Sequence, residues 1–231
     1  MTGSTQVLDT GVLVGIAVAH DQHHGKCLEF VLETDEVSYA TPTVGNEFRS
    51  KLPEVRDRLS RDIKRHRSSL AKQISKKRLN RTDLVQIREQ ILDTALDAHR
   101  FLFEFYDQLA QQGEIKREDL MDRLSDMATE VHEDAAKEHG GFNTLVSAWS
   151  GGVDNYSKIE EELLICEGDD PDVCLEAHHI AVTLGGETEL GTTNPNDFIK
   201  QQKGEPEERK ENILRLTALS DVRDLSIGRY P

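Results

Sequence analysis

One carboxylate near the start of the chain stands within an apolar run. Residues 7–15 read Val-Leu-Asp-Thr-Gly-Val-Leu-Val-Gly, and Asp9 is the only charged side chain among them. An isolated acid is costly to bury unless it is hydrogen-bonded, ion-paired or bound to a cation. Asp9 is therefore a candidate site residue.

A second polar segment, far along the chain, is expected to lie beside Asp9. Residues 185–198 contain a predicted strand at 187–193 that runs into polar and acidic side chains. In an open parallel sheet, strands distant in sequence lie side by side, and ligands collect at their carboxyl ends. The two segments can therefore build one site.

Both ends of the chain alternate between strand and helix signals. Residues 7–18 predict a buried strand that runs through a Thr-Gly turn towards a helix or an extended segment, and residues 36–43 predict a second strand. Residues 23–33 predict a helix, and Pro42 with Thr43 marks the start of a further helix. After residue 167 the predicted elements are helix 172–184, strand 187–193, helix 207–216 and strand 222–225. Such alternation is typical of an α/β fold with a parallel sheet.

The middle of the chain lacks strand signals and shows helical periodicity instead. Thr82 is suited to cap one long helix, which ends at Gly113. Further helices are predicted at 117–138, 142–149 and 156–164. We therefore predict one α/β domain formed by residues 1–53 and 167–231, and a helical insertion at 54–166.

The composition describes a folded but acidic protein. Of the 231 residues 36% are hydrophobic, and the formal net charge is −15. The periodic segments argue against disorder. Such acidity is typical of proteins from a salt-adapted organism, since screening in a high-salt cytoplasm weakens self-repulsion, and an ordinary acidic protein is the alternative.

The cysteines and the first apolar stretch bear on location. Cys27, Cys166 and Cys174 are odd in number and show no Cys-x-x-Cys spacing, which favours reduced thiols over a disulfide framework or a zinc ribbon. The apolar stretch 7–19 contains Asp9 and is too short to span a bilayer. We expect a cytoplasmic protein with no membrane segment.

One segment opposes the acidic balance of the chain. Residues 56–81 hold eleven Lys or Arg against two acids, a local charge of +9, so the other 205 residues carry −24. This segment begins about ten residues after Glu47. Its candidates for contacting a phosphate backbone are Arg58, Arg61, Lys64, Arg65, Arg67, Lys72 and Lys76. Alternatively, these cations pair with acids of the helical insertion; aromatic residues are few there, which argues against base stacking by this segment.

Several segments, in this order, resemble the PIN-domain nucleases. They are Val-Leu-Asp-Thr-Gly-Val-Leu with Asp9, Thr-Pro-Thr-Val-Gly-Asn-Glu-Phe with Glu47, Asp-Val-Cys-Leu-Glu-Ala with Asp172, Thr-Thr-Asn-Pro-Asn-Asp-Phe with Asp197, and the closing residues 213–225. The resemblance covers roughly residues 5–53 and 167–226. Each motif alone is weak, and it is their order that makes the resemblance specific.

The resemblance implies a three-layer α/β/α PIN-like fold with a short central parallel sheet and an acidic site for Mg²⁺ or Mn²⁺. By position, Asp9 would be the central ligand, with Glu47, Asp172 and Asp197 completing the site. Hard oxygen ligands suit these cations, which assist phosphodiester hydrolysis. Thr10 and Thr193 would bond the carboxylates or the scissile phosphate.

One position departs from the family pattern, and at another more than one residue could fill the same role. Many members place an aspartate directly after the Thr-Thr pair, where this chain has Asn194, with Asp197 three residues later. An amide oxygen binds Mg²⁺ without contributing charge, and Asp197 is alternatively a cap of the following short helix. Asp169 and Asp170 compete with Asp172 for one role, and we prefer Asp172 for its place in the family-like pattern.

The function implied is that of a metal-dependent ribonuclease acting on RNA. A catalytically silent module that binds RNA or a protein is the rival hypothesis. A phosphatase-like hydrolase is a weaker alternative, because no Asp-x-Asp motif follows the first strand. The resemblance extends to toxin ribonucleases with antitoxin partners, although those chains are usually much shorter. Exposed apolar positions of the long helices would pack within the insertion or form a homodimer.

Overall fold

The computed structural model describes residues 5–33, 37–92, 98–152, 154–164 and 170–227. Strands in these ranges are β1 (Thr5–Leu8), β2 (Ser38–Ala40), β3 (Arg78–Leu79), β4 (Ile115–Lys116), β5 (Val146–Ala148), β6 (Thr188–Thr192) and β7 (Asp221–Asp224).

Helices dominate the same ranges. They are α1 (Thr10–Ala17), α2 (His24–Leu32), α3 (Pro42–Gln73), α4 (Arg81–Leu92), α5 (His99–Gln112), α6 (Arg117–Glu130), α7 (Phe142–Leu145), α8 (Ser157–Glu160), α9 (Asp170–Leu184), α10 (Pro195–Phe198) and α11 (Arg209–Leu216). A 3-10 helix spans Ala135–His139.

Five strands form a parallel sheet in the order β5-β2-β1-β6-β7. The central strand β1 is buried throughout, as its apolar sequence predicts. It pairs with β2 and with β6, which is the distant strand expected beside it. The architecture is α/β with a parallel sheet flanked by helices, in agreement with a three-layer α/β/α arrangement.

The described residues divide into two compact units. Unit 1 draws on Met1–Ala17, His23–Lys51 and Asp134–Pro231, and unit 2 on Val18–Gln22 and Leu52–Glu133. The predicted insertion, residues 54–166, therefore differs from unit 2 at its carboxyl end, and the boundary predicted at 166/167 lies outside the described residues.

The strand β5, which lies inside the predicted helical insertion, belongs to the sheet of unit 1. Residues 142–149 were expected to be helical, yet only Phe142–Leu145 is helical, and the next three residues pair with β2 through Ser38↔Val146 and its neighbours. A strand of three residues is too short to show an alternating pattern. Hydrogen bonding across the sheet therefore decides its structure.

The regular structure in the described part of unit 2 is helical apart from the two-residue strands β3 and β4, an antiparallel pair that the sequence did not predict. Gly113 ends α5 with φ 103°, as expected for a residue of left-handed backbone after a helix. The apolar positions of the helical pattern are buried, including Ile63, Leu102, Leu120 and Leu124. The predicted helix 117–138 stops at Glu130.

No helix within the described ranges combines the length and the apolar character that a bilayer crossing requires.

Candidate acidic site at the carboxyl end of the sheet

Asp9 directly follows β1 and precedes the first residue of α1. Its backbone N–H donates to the carbonyl of Gly191 at 3.0 Å, and its own carbonyl accepts from the N–H groups of Val12 and Leu13. The residue is 8% exposed. One carboxylate oxygen accepts a 2.6 Å hydrogen bond from the N–H of Thr10. The sheet and the helix start therefore fix Asp9 from both sides.

The last residue of β6 supplies the second partner of this carboxylate. The Thr192 hydroxyl donates to the other Asp9 oxygen at 3.0 Å and accepts from the N–H of Asn194 at 3.0 Å. Burial raises the pKa of Asp9 to about 6, although the bonds from Thr192 and Thr10 act to lower it. The charge of Glu47 raises this pKa further, so Asp9 lies near a second acid.

That second acid, Glu47, is held by both the first helix and its own. The Thr10 hydroxyl donates to one oxygen of Glu47, and Lys51, one turn later in α3, pairs with the other. Burial acts to raise the pKa of Glu47, but the bonds from Lys51 and Thr10 outweigh it, and the pKa lies below its ordinary value. The charge of Lys51 also acts on Asp9.

The position of Glu47 depends on how α3 begins. Thr41 precedes Pro42 at the helix start, and its hydroxyl accepts from the N–H of Val44 at 3.4 Å. The buried carboxylate of Glu176, on α9, accepts from the Thr43 hydroxyl at 2.9 Å and from its N–H at 3.2 Å. These bonds satisfy free N–H groups of the first turn and tie α3 to α9.

Helix α9 brings Asp170, its first residue, to the same group of acids. Burial, followed by the charges of Asp197, Asp9 and Glu47, raises the pKa of Asp170 to about 7. Asp172, which the sequence predicted here, is exposed. Side chains two residues apart do not share a helix face, so Asp170 and Asp172 point in different directions. Asp169 lies outside the described residues.

Asp197 lies in the first turn of α10 and joins the group through its charge on Asp170. Its carboxylate accepts a hydrogen bond from the side-chain amide of Asn194. This bond joins two side chains and is not itself a cap of the N–H groups of α10, so the two predicted alternatives for Asp197, a site residue and a helix cap, both stay predictions. Asn194 itself is exposed, and its amide group serves as a donor to Asp197.

Thr193, predicted to support the site, lies against Gly11. A Cβ atom placed on Gly11 would stand 2.0 Å from the Thr193 hydroxyl oxygen and 3.8 Å from a carboxylate oxygen of Asp9. Only glycine leaves room for this approach. Thr192, and not Thr193, is the threonine that bonds Asp9.

We call Asp9, Glu47, Asp170 and Asp197 the acid cluster. Burial is the main cause of the raised pKa of Asp170, and repulsion by the other three carboxylates is the second. The charge of Lys51 acts in the opposite direction. Carboxylates held close together in this way attract a cation. Among the described residues, no three His, Cys, Asp or Glu side chains are grouped closely enough to hold a metal ion as they stand.

The predicted phosphate-binding residues belong to unit 2. Arg61, Lys64, Arg65 and Lys72 line one surface of α3 together with Ser68 and Ser69, and each of the four is at least partly exposed. We call these four the basic stripe. Arg58 is exposed on the same helix.

Three of the predicted phosphate-binding residues make other contacts, and one of them, Arg65 of the basic stripe, pairs with Asp62 at 3.7 Å. Arg67 donates to the carbonyl of Met121 at 2.9 Å, and Lys76 pairs with Asp83 at 2.6 Å. The alternative of pairing with acids of the insertion therefore holds for Lys76 and Arg65.

Three residues of the site escaped the sequence-based prediction. Thr192 is the neighbour of the predicted Thr193, and it is Thr192 that bonds Asp9. Asp170 lies two residues before Asp172, which the family-like pattern favours, and it is Asp170 whose pKa the other acids raise. Lys51 carries a usable signal, since it lies four residues after Glu47 in a predicted helix, where opposite charges pair.

Neither the family models nor the curated proteins match the sequence, and no solved structure matches the fold.

Proposed function

We propose that this protein is a PIN-like, metal-dependent ribonuclease that hydrolyses RNA phosphodiester bonds at the acid cluster. One observation carries the proposal: four carboxylates, one at a strand end and three on helices, lie within electrostatic reach of one another at the carboxyl edge of a parallel sheet. In open α/β sheets this edge is where ligands bind.

The electrostatics of the cluster favour a cation as its missing component. Burial raises the pKa of Asp9 to about 6, and burial with neighbouring charges raises the pKa of Asp170 to about 7. Lys51 pairs directly with Glu47. Its positive charge therefore compensates the carboxylates of Asp9 and Asp170 only in part at neutral pH. Perturbed carboxyls gathered in this way are typical of functional sites.

The donor set fits Mg²⁺ or Mn²⁺. Carboxylate oxygens are the ligands that these hard cations prefer, and Asp9, Glu47, Asp170 and Asp197 would hold them. When bound, such a cation activates water and neutralises charge on a phosphodiester. The Thr192 hydroxyl and the Thr10 N–H keep the carboxylate of Asp9 charged and oriented by donating to its two oxygens.

The identification of the substrate as RNA and the PIN-like assignment rest on the resemblance of the sequence motifs, whereas the proposed cytoplasmic location rests on the cysteine pattern and the short apolar stretch. The basic stripe of unit 2 supplies cations suited to a phosphate backbone. We propose that it contributes to RNA affinity. A homodimer and an antitoxin-like partner stay predictions.

A second candidate function is a catalytically silent module that binds RNA or a protein. The observation that favours it is the pairing within the cluster: Lys51 neutralises Glu47, and the Asn194 amide bonds Asp197. In such a module Lys51 and Asn194 would stabilise the carboxylates of Glu47 and Asp197 in place of a metal ion.

Cleavage of single-stranded RNA in the presence and absence of Mn²⁺ tests the first function against the second. We expect Mn²⁺-dependent cleavage by the unaltered protein, and a loss of about 100-fold or more in Asp9→Asn. Glu54→Gln, which removes one exposed acid of α3, is the matched control and should cleave normally. Equal cleavage by Asp9→Asn and the unaltered protein would overturn the proposal.

A further inference from the structure

A cavity of about 370 Å³ opens in unit 1 at the carboxyl ends of β2 and β5. Ala40 and Ala148, the last residues of these two strands, line it, and the N–H of Trp149 donates to the carbonyl of Ala40 at 2.8 Å. All strands of the sheet are parallel, so this is the sheet edge from which Asp9 projects. Its volume lies within the range of small-molecule sites.

The lining combines aromatic rings with a few polar groups. Phe48 and Phe142 stack with ring centroids 5.2 Å apart and planes 7° from parallel, and both rings are partly exposed. Trp149 forms another part of the wall. Asn143 and Arg49 place an amide and a guanidinium at the rim.

The charge of the residues that line the cavity indicates which kind of ligand it can bind. Of the described residues that line the cavity, Arg49 alone carries a charge, in a chain whose net charge is −15. A cationic ligand meets no carboxylate among these lining residues, whereas an anionic ligand with a flat apolar part meets aromatic faces, an amide and a guanidinium. Nucleotides have this combination, and stacking on aromatic side chains with hydrogen bonds to base edges is how single-stranded RNA is bound.

Helix α3 links the cavity to the acid cluster. Asn46, Phe48 and Arg49 line the cavity, and Glu47, between them in sequence, belongs to the cluster. Consecutive helical residues point in directions about 100° apart, so one turn of α3 serves both places.

We propose that this cavity is a subsite for the base of a nucleotide adjoining the phosphate at the acid cluster. The proposal rests on the proposed nuclease function for the identity of the ligand. It adds a recognition element, since phosphate contacts position a nucleic acid and base contacts select among sequences.

Two features of the chain allow a direct test. Trp149 is the only tryptophan, so the intrinsic tryptophan emission reports on the wall of this cavity. Gly45 also lines the cavity, and a Cβ atom placed on it meets nothing within 4 Å. Gly45→Leu therefore adds bulk beside the cavity from a Cβ atom that meets no neighbour, and leucine favours the helix more than glycine does.

The experiment is a fluorescence titration with adenosine 5′-monophosphate in EDTA, corrected for absorbance with free N-acetyltryptophanamide. We expect saturable quenching of Trp149, with Kd raised at least about tenfold by Gly45→Leu. Gly25→Leu, at a helical glycine that also has open space, should leave Kd unchanged. Asn143→Ala, an exposed truncation, should raise Kd about three- to tenfold. Circular dichroism verifies that each variant is folded.

Further probes separate base recognition from other causes. Ribose 5-phosphate, which lacks the base, should not quench. Equal quenching by ribose 5-phosphate, an unchanged Kd in both Gly45→Leu and Asn143→Ala, or tighter binding of N-acetylphenylalanine amide than of the nucleotide would overturn the proposal. Because the titration needs neither metal nor cleavage, its failure and the failure of the nuclease function are separate results.

Discussion

The Thr192 hydroxyl donates a 3.0 Å hydrogen bond to the Asp9 carboxylate, joining residues 183 positions apart in the sequence. The bond connects the carboxyl end of β6 to that of β1, and the same hydroxyl accepts from the N–H of Asn194. This one side chain therefore links the Asp9 end of the acid cluster to the segment that leads to Asp197.

Removal of this hydroxyl should affect both stability and metal affinity. In Thr192→Val, one oxygen of the buried Asp9 loses its donor, so we expect a loss of about 1–3 kcal/mol in the free energy of unfolding. We also expect weaker Mn²⁺ binding at neutral pH, because the bond favours the charged carboxylate. Urea denaturation and calorimetry measure the two effects.

The same strand offers a matched control. Thr188, the first residue of β6, is fully buried, and its hydroxyl oxygen has no hydrogen-bond partner among the described residues. Thr188→Val should therefore be neutral or stabilising. Equal losses in Thr188→Val and Thr192→Val would show that the bond to Asp9 has no special role.

Asp9 should also impose a pH dependence on folding. Burial raises its pKa from 3.8 to about 6, so between these values the native state binds more protons at this carboxyl than the unfolded state does. This contribution to stability is therefore present at low pH and is lost as pH rises through about 6. Relative to the unaltered protein, Asp9→Asn should gain up to about 3 kcal/mol between about pH 4 and pH 7.

Denaturation in EDTA at a series of pH values measures this difference. The EDTA keeps metal binding from contributing to the stability of the unaltered protein. Parallel stability profiles for Asp9→Asn and the unaltered protein would contradict the burial of a charged carboxylate at this position.

Gly11 should tolerate no side chain. In Gly11→Ala the new Cβ would stand 2.0 Å from the Thr193 hydroxyl oxygen, so Thr193 must move beside the acid cluster. We expect a cost of about 1–3 kcal/mol and weaker Mn²⁺ binding. Gly25→Ala, in open space on α2, should be neutral or stabilising in the same thermal and calorimetric measurements. The prediction fails when the two alanine variants behave alike.

The basic stripe should contribute to RNA affinity through charge. Arg61→Ala and Lys64→Ala, made in the Asp9→Asn background to prevent cleavage, should each weaken binding of single-stranded RNA. The slope of log K against log salt should fall by about 0.7 for each phosphate that the variant no longer neutralises. Fluorescence anisotropy at several salt concentrations measures this slope. Lys77→Ala, which removes an exposed lysine outside α3, is the control. An equal effect of Lys77→Ala would show that the basic stripe has no specific role in RNA binding.

The sequence indicated much of the fold because its apolar patterns are local and strong. The buried run of β1, the start of α3 at Pro42 and the end of α5 at Gly113 all follow from adjacent residues. β5 did not follow, because three residues show no alternation and their pairing with β2 is a contact across the sheet. The strands β3 and β4 are shorter still.

The candidate site could be predicted only in part, because some of its residues are brought together by packing and not by local sequence. Asp9 could be found because a charge in an apolar run is visible in the sequence itself. Asp170 and Asp172 differ only in the direction they take from α9, and that direction depends on how the helix packs. Thr192 and Thr193 are adjacent in the sequence, and only their packing shows that Thr192 bonds Asp9 whereas Thr193 lies against Gly11.

The central claim is that Asp9 and Asp170 belong to one cation site at the carboxyl edge of the sheet. Calorimetric titration with Mn²⁺ tests it on the unaltered protein and on Asp9→Asn, Asp170→Asn and Asp172→Asn. We predict one saturable site, weakened at least about tenfold in the first two variants and unchanged in Asp172→Asn. Mn²⁺ binding by Asp9→Asn that equals that of the unaltered protein would contradict the claim.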